Sequence, residues 1–460
     1  MKMISFYNSL TKKKEQFEPI SDGKVKMYTC GPTVYDFSHI GNFRTFLFED
    51  LLKRVFIAFG YEVDHVMNIT DVDDKTIKKS VIEKKELKDI TSHYTEAFIK
   101  DIRSLRILEA DTYPNATDHI DEMIEMIENL IKKGHAYQID DGSVFFKIDT
   151  FSKYGALVNI EKSNISNDLE ISDEYSADNA NDFALWKSYK EEDGKTYWDS
   201  PWGRGRPGWH IECSAMSVKY LGSHFDIHCG GVDNKFPHHE NELAQSCCAL
   251  DSPFVNYWLH SEFLMVDGNK MSKSLNNFYV LSDLFDAGFE PEEFRYLVLS
   301  AHYRTRVNFS MKRKREAKSA IARISNTRER LTEINNESSK DYPEEFKKFN
   351  ACLANDLDTP GALAIFFDWI RKINSLLDQN KLSTEDIAKG NSFISYFDSI
   401  FAILPQKEII PSEIAALAEK REQYRINRDW AGSDRIRSEI ESRGWLIKDT
   451  VNGPKLLKNS

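Results

Sequence analysis

Residues 24–30 read KVKMYTC, a β-prone run that predicts a short strand. A turn containing Gly31 and Pro32 follows. From Phe43 the apolar residues Phe46, Leu47, Leu51, Val55, Phe56 and Phe59 then recur at helical spacing until Gly60 stops them. EVDHVMNI, residues 62–69, predicts the next strand. Strand, helix and strand in this order form a βαβ unit, which favours a parallel sheet with its ligand site at the carboxyl ends of the strands. Further on, the pattern predicts a helix over 120–133, a strand over 143–148 and, where 161–181 turns polar, acidic and aperiodic, a long loop. A second strand–glycine–helix unit runs from 224–229 through Gly230-Gly231 to a helix that opens at Pro237 and ends near Leu250. Beyond Ser310 the chain becomes rich in Lys, Glu and Asn with helical periodicity to about Leu404, the pattern of a helical bundle. Pro405 and Pro411 mark a hinge, and 413–442 predicts a helical hairpin in a small last segment. No internal repeat or low-complexity tract interrupts this organisation.

At 460 residues, 41% hydrophobic and 12% aromatic, the chain has ample core material, and roughly 100–200 residues per domain predicts two to four domains. Apolar runs such as 55–59 and 362–367 fall far short of the ~20 residues of a membrane span, so no membrane partner is expected. The first twenty residues lack an apolar core followed by a small-residue cleavage site, and no secretory signal is expected. Six cysteines do not make a disulfide framework; reduced thiols in the cytoplasm are the expectation. The formal net charge of −12 argues against indiscriminate nucleic-acid coating. One stretch differs: Arg304, Arg306, Lys312, Arg313, Lys314, Arg315, Lys318, Arg323, Arg328 and Arg330 face only Glu316 and Glu329 along the sequence. A phosphate backbone would be drawn to it, and acidic neighbours in the fold would answer it equally well.

On the helix that opens at Pro237, His238 and Glu242 stand at i and i+4, so both side chains share one face and offer two donors to a metal. His239 and Glu240 meet Leu243 and Ala244 at the same spacing and offer no such pair. Cys30, ending a strand before a Gly-Pro turn, and Cys213, opening a helix after Gly208-Trp209-His210, supply the remaining donors; His210 is a rival. Two thiolates, an imidazole and a carboxylate suit Zn²⁺, while buried cysteines and a helix-capping His238 would explain the same residues without a metal. Cys229, Cys247, Cys248 and Cys352 are expected to be structural thiols. Two nucleotide signals accompany this set. Ser38-His39-Ile40-Gly41-Asn42 lies in a strand-to-helix turn, where backbone N–H groups attract phosphate, Gly41 permits close approach and His39 can donate to phosphate oxygens. Lys270-Met271-Ser272-Lys273-Ser274 supplies two lysines able to pair with a triphosphate.

HIGN followed far downstream by KMSKS resembles the paired signatures of class I aminoacyl-tRNA synthetases, and the match is tighter to the cysteinyl-tRNA synthetase family. TCGPTVYDFSHIGNFRTF (29–46), NITDVDDK (68–75), SPWGRGRPGWHIECSAM (200–216), GGVDNKFPHHENELAQS (230–246) and KMSKSLNNF (270–278) carry the resemblance. It implies a Rossmann-like α/β catalytic domain with a parallel sheet over 1–310, interrupted by a connective insertion at about 111–200. A helical bundle over 311–405 and a small anticodon-binding domain over 406–460 would follow. It implies one zinc held by Cys30, Cys213, His238 and Glu242, and ATP bound with Mg²⁺. His39, Asn42, Lys270 and Lys273 would be catalytic, Lys273 as the ATP-binding lysine. Gly41, Asp233 at the ribose and Trp209 lining the cysteine pocket would bind substrate. Asn42 stands where the signature has a second histidine; an amide donates to phosphate but is never cationic. Arg425, Trp430, Asp434 and Asp449 would read the anticodon, since an aromatic ring with Arg and Asp suits unpaired bases. The implied reaction joins L-cysteine to tRNA(Cys) in the cytoplasm, by a monomer and without an editing domain.

Two rivals predict different sequences. A ligase that joins activated cysteine to an amino sugar shares the catalytic domain and lacks an anticodon module, yet this chain continues through Trp430 and Asp449. A non-catalytic descendant would have lost His39 or Lys273, and both are present.

Overall fold

The computed structural model describes residues 3–158, 182–271, 277–405, 411–450 and 453–458. The chain divides into two compact units, Met1–Ile403 and Leu404–Ser460.

The predicted βαβ unit lies at the centre of the first. Lys24–Thr29 pairs in parallel with Glu62–Met67 on one side and with Phe225–Gly231 on the other, and Val255–Ser261 completes a four-stranded parallel sheet. Both predicted strands are shorter than the sequence suggested, each stopping where the chain turns into the site. The connecting helix is Ile40–Ala58, beginning three residues before the first periodic apolar position because His39 caps it. Lys24–Thr29 sends its crossover to one neighbour while the other neighbour arrives from far along the chain. Thr29 and Cys229 lie side by side at this switch in strand order. A crevice opens at such a point, outside the carboxyl ends of the strands.

An antiparallel sheet of Ala136–Gln138, Val144–Phe146, Phe183–Ser188 and Gly205–Pro207 is inserted between two strands of the parallel one. Its core joins Phe146, Phe183 and Trp186 to Met123, Ile127 and Leu130 of the helix Ile120–Lys132. The predicted loop 161–181 lies outside the described residues. Helices Lys314–Ile334, Glu345–Ala354, Thr359–Asp378 and Thr384–Phe401 form the helical region the periodicity predicted. In the basic stretch, Arg304 pairs with Asp356 at 2.6 Å, Arg313 with Glu316 at 2.9 Å and Arg330 with Asp378 at 2.5 Å. Lys312, Arg315 and Lys318 stay exposed. Acidic neighbours in the fold therefore answer part of the stretch.

The helix Ile40–Ala58 carries two buried acids with opposite consequences. Asp50 pairs with the Nη2 of Arg295, receives Arg54 Nε at 2.9 Å and accepts the Leu108 N–H at 2.8 Å. Burial pushes its carboxyl up, but the Arg295 and Arg54 guanidiniums and the Leu108 N–H outweigh burial and hold it below the usual range. Glu49, 1% exposed, has no hydrogen-bond partner for either carboxyl oxygen among the described residues, and burial pushes its carboxyl far up, so the folded chain holds it protonated. Below the ordinary carboxyl range both states carry that proton. Above it the unfolded chain ionises and gains hydration that the folded chain cannot, so stability falls as pH rises. Glu49→Leu is therefore expected to stabilise the protein by about 1–3 kcal/mol near neutral pH, the cost of an unsatisfied buried polar group. Denaturation midpoints of both proteins at pH 5 and pH 8 check this; an equal difference at both pH values would contradict it.

Helices Ser412–Ile426 and Trp430–Ser442 and the hairpin of Trp445–Thr450 with Gly453–Lys458 form the second unit. The predicted helical hairpin is thus followed by a β-hairpin that the sequence did not reveal. The core joins Ile414, Ala418, Ile436 and Ile440 to Trp445 and Ile447. The predicted hinge falls on 406–410, outside the described residues.

Candidate active site

The residues at the carboxyl ends of Lys24–Thr29, Phe225–Gly231 and Val255–Ser261 meet in one cavity of about 470 Å³. Cys30 lies at its floor beside Gly31, with His39, Gly41 and Asn42 along one wall and Gly231, Asp233 and Trp209 along another. Lys270, from the exposed strand Asn269–Lys270, reaches its rim with Nζ 5.2 Å from the centre of the Phe263 ring. Lys273 lies outside the described residues.

His39 and Asn42 close a reciprocal cap at the start of the helix. The His39 Nδ1 accepts the Asn42 N–H at 3.2 Å, and the Asn42 Oδ1 accepts the His39 N–H at 3.0 Å. This contact assigns the ring proton to Nε2 and explains how an amide serves where the signature has a second histidine. Burial lowers the His39 pKa, and the Asp233 carboxylate opposes that shift. A Cβ on Gly41 would lie 2.5 Å from the Met271 methyl and 2.9 Å from the His39 ring, so a side chain there would crowd the wall.

Cys30, which lines the cavity, joins Cys213, His238 and Glu242 in bringing one donor atom each to within 4.8 Å of one another, and all four are buried. Cys30 follows directly on Lys24–Thr29. Cys213 sits in the second turn of the helix Trp209–Leu221 rather than at its start. His238 lies in a π-helical turn, Lys235–His239, and Glu242 in the helix Glu240–Leu250, which begins three residues after Pro237. The i, i+4 relation survives that junction: His238 Nε2 is 3.1 Å from Glu242 Oε1. Burial, reinforced by the Cys213 sulfur, raises the Cys30 thiol far above its usual range; burial also raises that of Cys213, against the contact with Cys30, and lowers the His238 pKa. Without a cation the pocket therefore holds neutral thiols and a neutral imidazole, and a divalent ion would draw the thiol protons off.

A second set, Cys30, His228, His239 and Glu242, meets the same distance criterion. Glu242 Oε2 lies 2.9 Å from His228 Nε2, His239 Nε2 lies 3.3 Å from Cys30 Sγ, and His239 Nδ1 lies 2.8 Å from His260. His210 stands behind His238, with their Nδ1 atoms 2.9 Å apart. The two-sulfur set is the softer one and the better match for zinc; the other histidines then hold Cys30, Glu242 and His238 from behind. Helical spacing could not show His239 in this position, because it reaches Cys30 from the turn and not along a helix face. His228 and His260 lie on strands, in HCGG and LHS, where no spacing rule marks them. Glu240 accepts N–H groups of Gly155 and Leu157, each at 2.8 Å, outside the cluster. The Trp209 ring stacks on His238 with centroids 4.2 Å apart.

In the second unit Trp430 is 60% exposed, and Trp445 anchors the core instead. Asp434 is exposed and Arg425 half-buried, 3.6 Å from Glu422. Asp449 belongs to the strand Trp445–Thr450, and its side chain lies outside the described residues.

A parallel sheet with a signature turn at its switch point is the architecture of class I tRNA synthetases. Residues 16–319 match the family described as tRNA synthetases class I (C) catalytic domain, and 348–405 match the DALR domain. The chain is 48% identical to the cysteine–tRNA ligase of Brachyspira hyodysenteriae and 46% identical to that of Chlamydia trachomatis serovar A, over 99% of both chains in each case. It shares its fold with Mycobacterium tuberculosis methionyl-tRNA synthetase solved with methionyl-adenylate, at 11% identity and a TM-score of 0.57 over 83% of this chain and 90% of that one. The chain belongs to the cysteine–tRNA ligase family. Its substrates are those of a synthetase: an amino acid, ATP and tRNA. No helix among the described residues is long and apolar enough to cross a membrane.

Proposed function

We propose that this chain activates L-cysteine with Mg²⁺-bound ATP and transfers it to the 3′ end of tRNA(Cys), with zinc at Cys30, Cys213, His238 and Glu242 selecting the amino acid. The convergence of those four buried donors, one of which, Cys30, lines the signature cavity, carries the reading. In the first step a cysteine carboxylate oxygen bonds to the α-phosphorus of ATP and the bond to pyrophosphate breaks. In the second a terminal ribose hydroxyl of the tRNA bonds to the aminoacyl carbon, AMP leaves, and the hydroxyl proton is released. Chemistry of this kind depends on positioning and charge stabilisation. His39 donates to phosphate oxygens from Nε2, and the Asn42 cap fixes its ring. Lys270 and Lys273 balance the triphosphate charge, Gly41 lets the nucleotide approach the turn, Asp233 takes ribose hydroxyls, and Trp209 covers the amino-acid end. Arg425, Trp430, Asp434 and Asp449 meet the anticodon bases, Trp430 by stacking through its exposed face. The chain acts as a cytoplasmic monomer.

Cysteine and serine differ in one atom, and an apolar pocket separates such isosteres by only about a hundredfold. Cys30, Cys213, His238 and Glu242 would hold the zinc, whose chemistry would favour a thiol of ordinary pKa ~8.5 over the far less acidic hydroxyl and would make a separate editing site unnecessary. Pyrophosphate exchange into ATP tests this. Cysteine is expected to drive exchange more than a hundredfold faster than serine, and chelation is expected to abolish it, with zinc restoring it. Serine exchange at a comparable rate would overturn the reading.

A further inference from the structure

The block NITDVDDK ends at Lys75 on the helix Asp74–Glu83, and no step above uses it. This helix and the next, Leu87–Ser104, stand at one side of the cavity mouth, where the chain entering the signature turn presents Phe37. Phe37 is 47% exposed, although burying an aromatic ring is among the larger gains available to a side chain. It is braced, not loose: Tyr94 and His93 form T-shaped pairs with it, with centroids 5.2 and 6.0 Å away and ring planes at 80° and 73°. His93 and Tyr94 pack against each other at 5.0 Å. Lys79 fixes Tyr94 in turn, with Nζ 2.6 Å from its hydroxyl and 4.3 Å from its ring centre. Asp36 and Glu83, 4.0 and 3.9 Å from Lys79, answer part of that charge. Lys75 is exposed, 5.5 Å above the Tyr35 ring, and Tyr35 and Lys75 both line the cavity.

A braced, half-exposed aromatic ring in the lining of a cavity that also carries an exposed lysine suits single-stranded nucleic acid: the ring takes a base on its face and the cation follows the backbone. The ring also continues the wall of the cavity in which the acceptor hydroxyl must arrive. We propose that Phe37, braced by Tyr94 and His93 in a cavity lining it shares with Lys75, is the stacking platform for an unpaired base near the 3′ end of the tRNA as that end enters the site. The inference rests on the aminoacylation reaction proposed above. It adds a positioning surface for the second step that the first step does not need.

The two steps therefore give separate readouts. In the full-length protein, Phe37→Ala is expected to leave cysteine-dependent pyrophosphate exchange, measured without tRNA, within twofold of wild type. The kcat/KM for tRNA should fall about five- to a hundredfold, the range one stacked base contributes. Phe37→Trp should restore charging, and Lys75→Ala should weaken tRNA binding most at low salt. A tRNA trimmed of its unpaired 3′ nucleotides should bind wild type and Phe37→Ala equally. Unchanged charging would overturn the proposal, as would equal losses in exchange and charging, or a binding loss that persists with trimmed tRNA. Absence of exchange in the wild type would instead strike the aminoacylation reading itself.

Discussion

Cys213→Ser is expected to lose both bound zinc and cysteine activation while keeping its fold. Cys213 is 1% exposed in the helix Trp209–Leu221, within 4.8 Å of the donors of Cys30, His238 and Glu242. Ile211, Ala215 and Met216 of the same helix enter a separate core cluster, and exchanging one sulfur for oxygen removes little packing volume. The donor change is large. A thiolate becomes a hydroxyl that does not ionise, the set loses its softest pair, and even outer partners of a metal site change affinity 10–100-fold, so losing a ligand should cost more than about a hundredfold. Metal analysis and pyrophosphate exchange on the same preparation check this. Cys229→Ser is the control, because Cys229 is a buried thiol on the adjoining strand and outside both donor sets. Full zinc and full activity in Cys213→Ser would remove it from the site.

Asp50→Ala is expected to destabilise the Met1–Ile403 unit by about 3–5 kcal/mol, the scale for breaking a buried pair from one side. Arg295 is 1% exposed and also donates to the carbonyls of Leu105 and Phe401, so the variant strands a buried guanidinium among groups that cannot neutralise it. Because Asp50 is held below the ordinary carboxylate range, its contribution is present above the unfolded-state pKa of ~3.9 and is lost as pH falls through the lower folded value. Wild type and variant should therefore differ strongly at pH 7 and converge at strongly acid pH. A change below about 0.5 kcal/mol at pH 7, the scale of an ordinary surface substitution, would show that the pair contributes little.

The crevice was legible because the residues that build it sit in the most regular part of the chain. The run to Thr29, the apolar stripe through Phe56 and the glycines at 230–231 each obey a period or a turn rule, and together they locate a switch point. His238 and Glu242 were legible for the same reason. His228, His239 and His260 were not, since two lie on strands and one on an irregular turn, and their meeting depends on register between strands distant in sequence. The small elements were equally hidden. Ser5–Asn8 and Lys13–Gln16 are four residues each, too short for alternation to register, and Asp74–Glu83 is set by its Asp73 cap more than by an apolar stripe. Asn42 read as a departure from the signature. Its part in closing the cap with His39 appears only in the geometry.

Zinc-edge X-ray absorption of the purified enzyme, before and after addition of substrate, tests the central claim most directly. With two cysteine ligands in the donor set, two sulfurs at ~2.3 Å should be seen in the free enzyme. L-Cysteine should raise the count to three and L-serine should leave it at two. A sulfur count that does not change on adding cysteine would contradict the account.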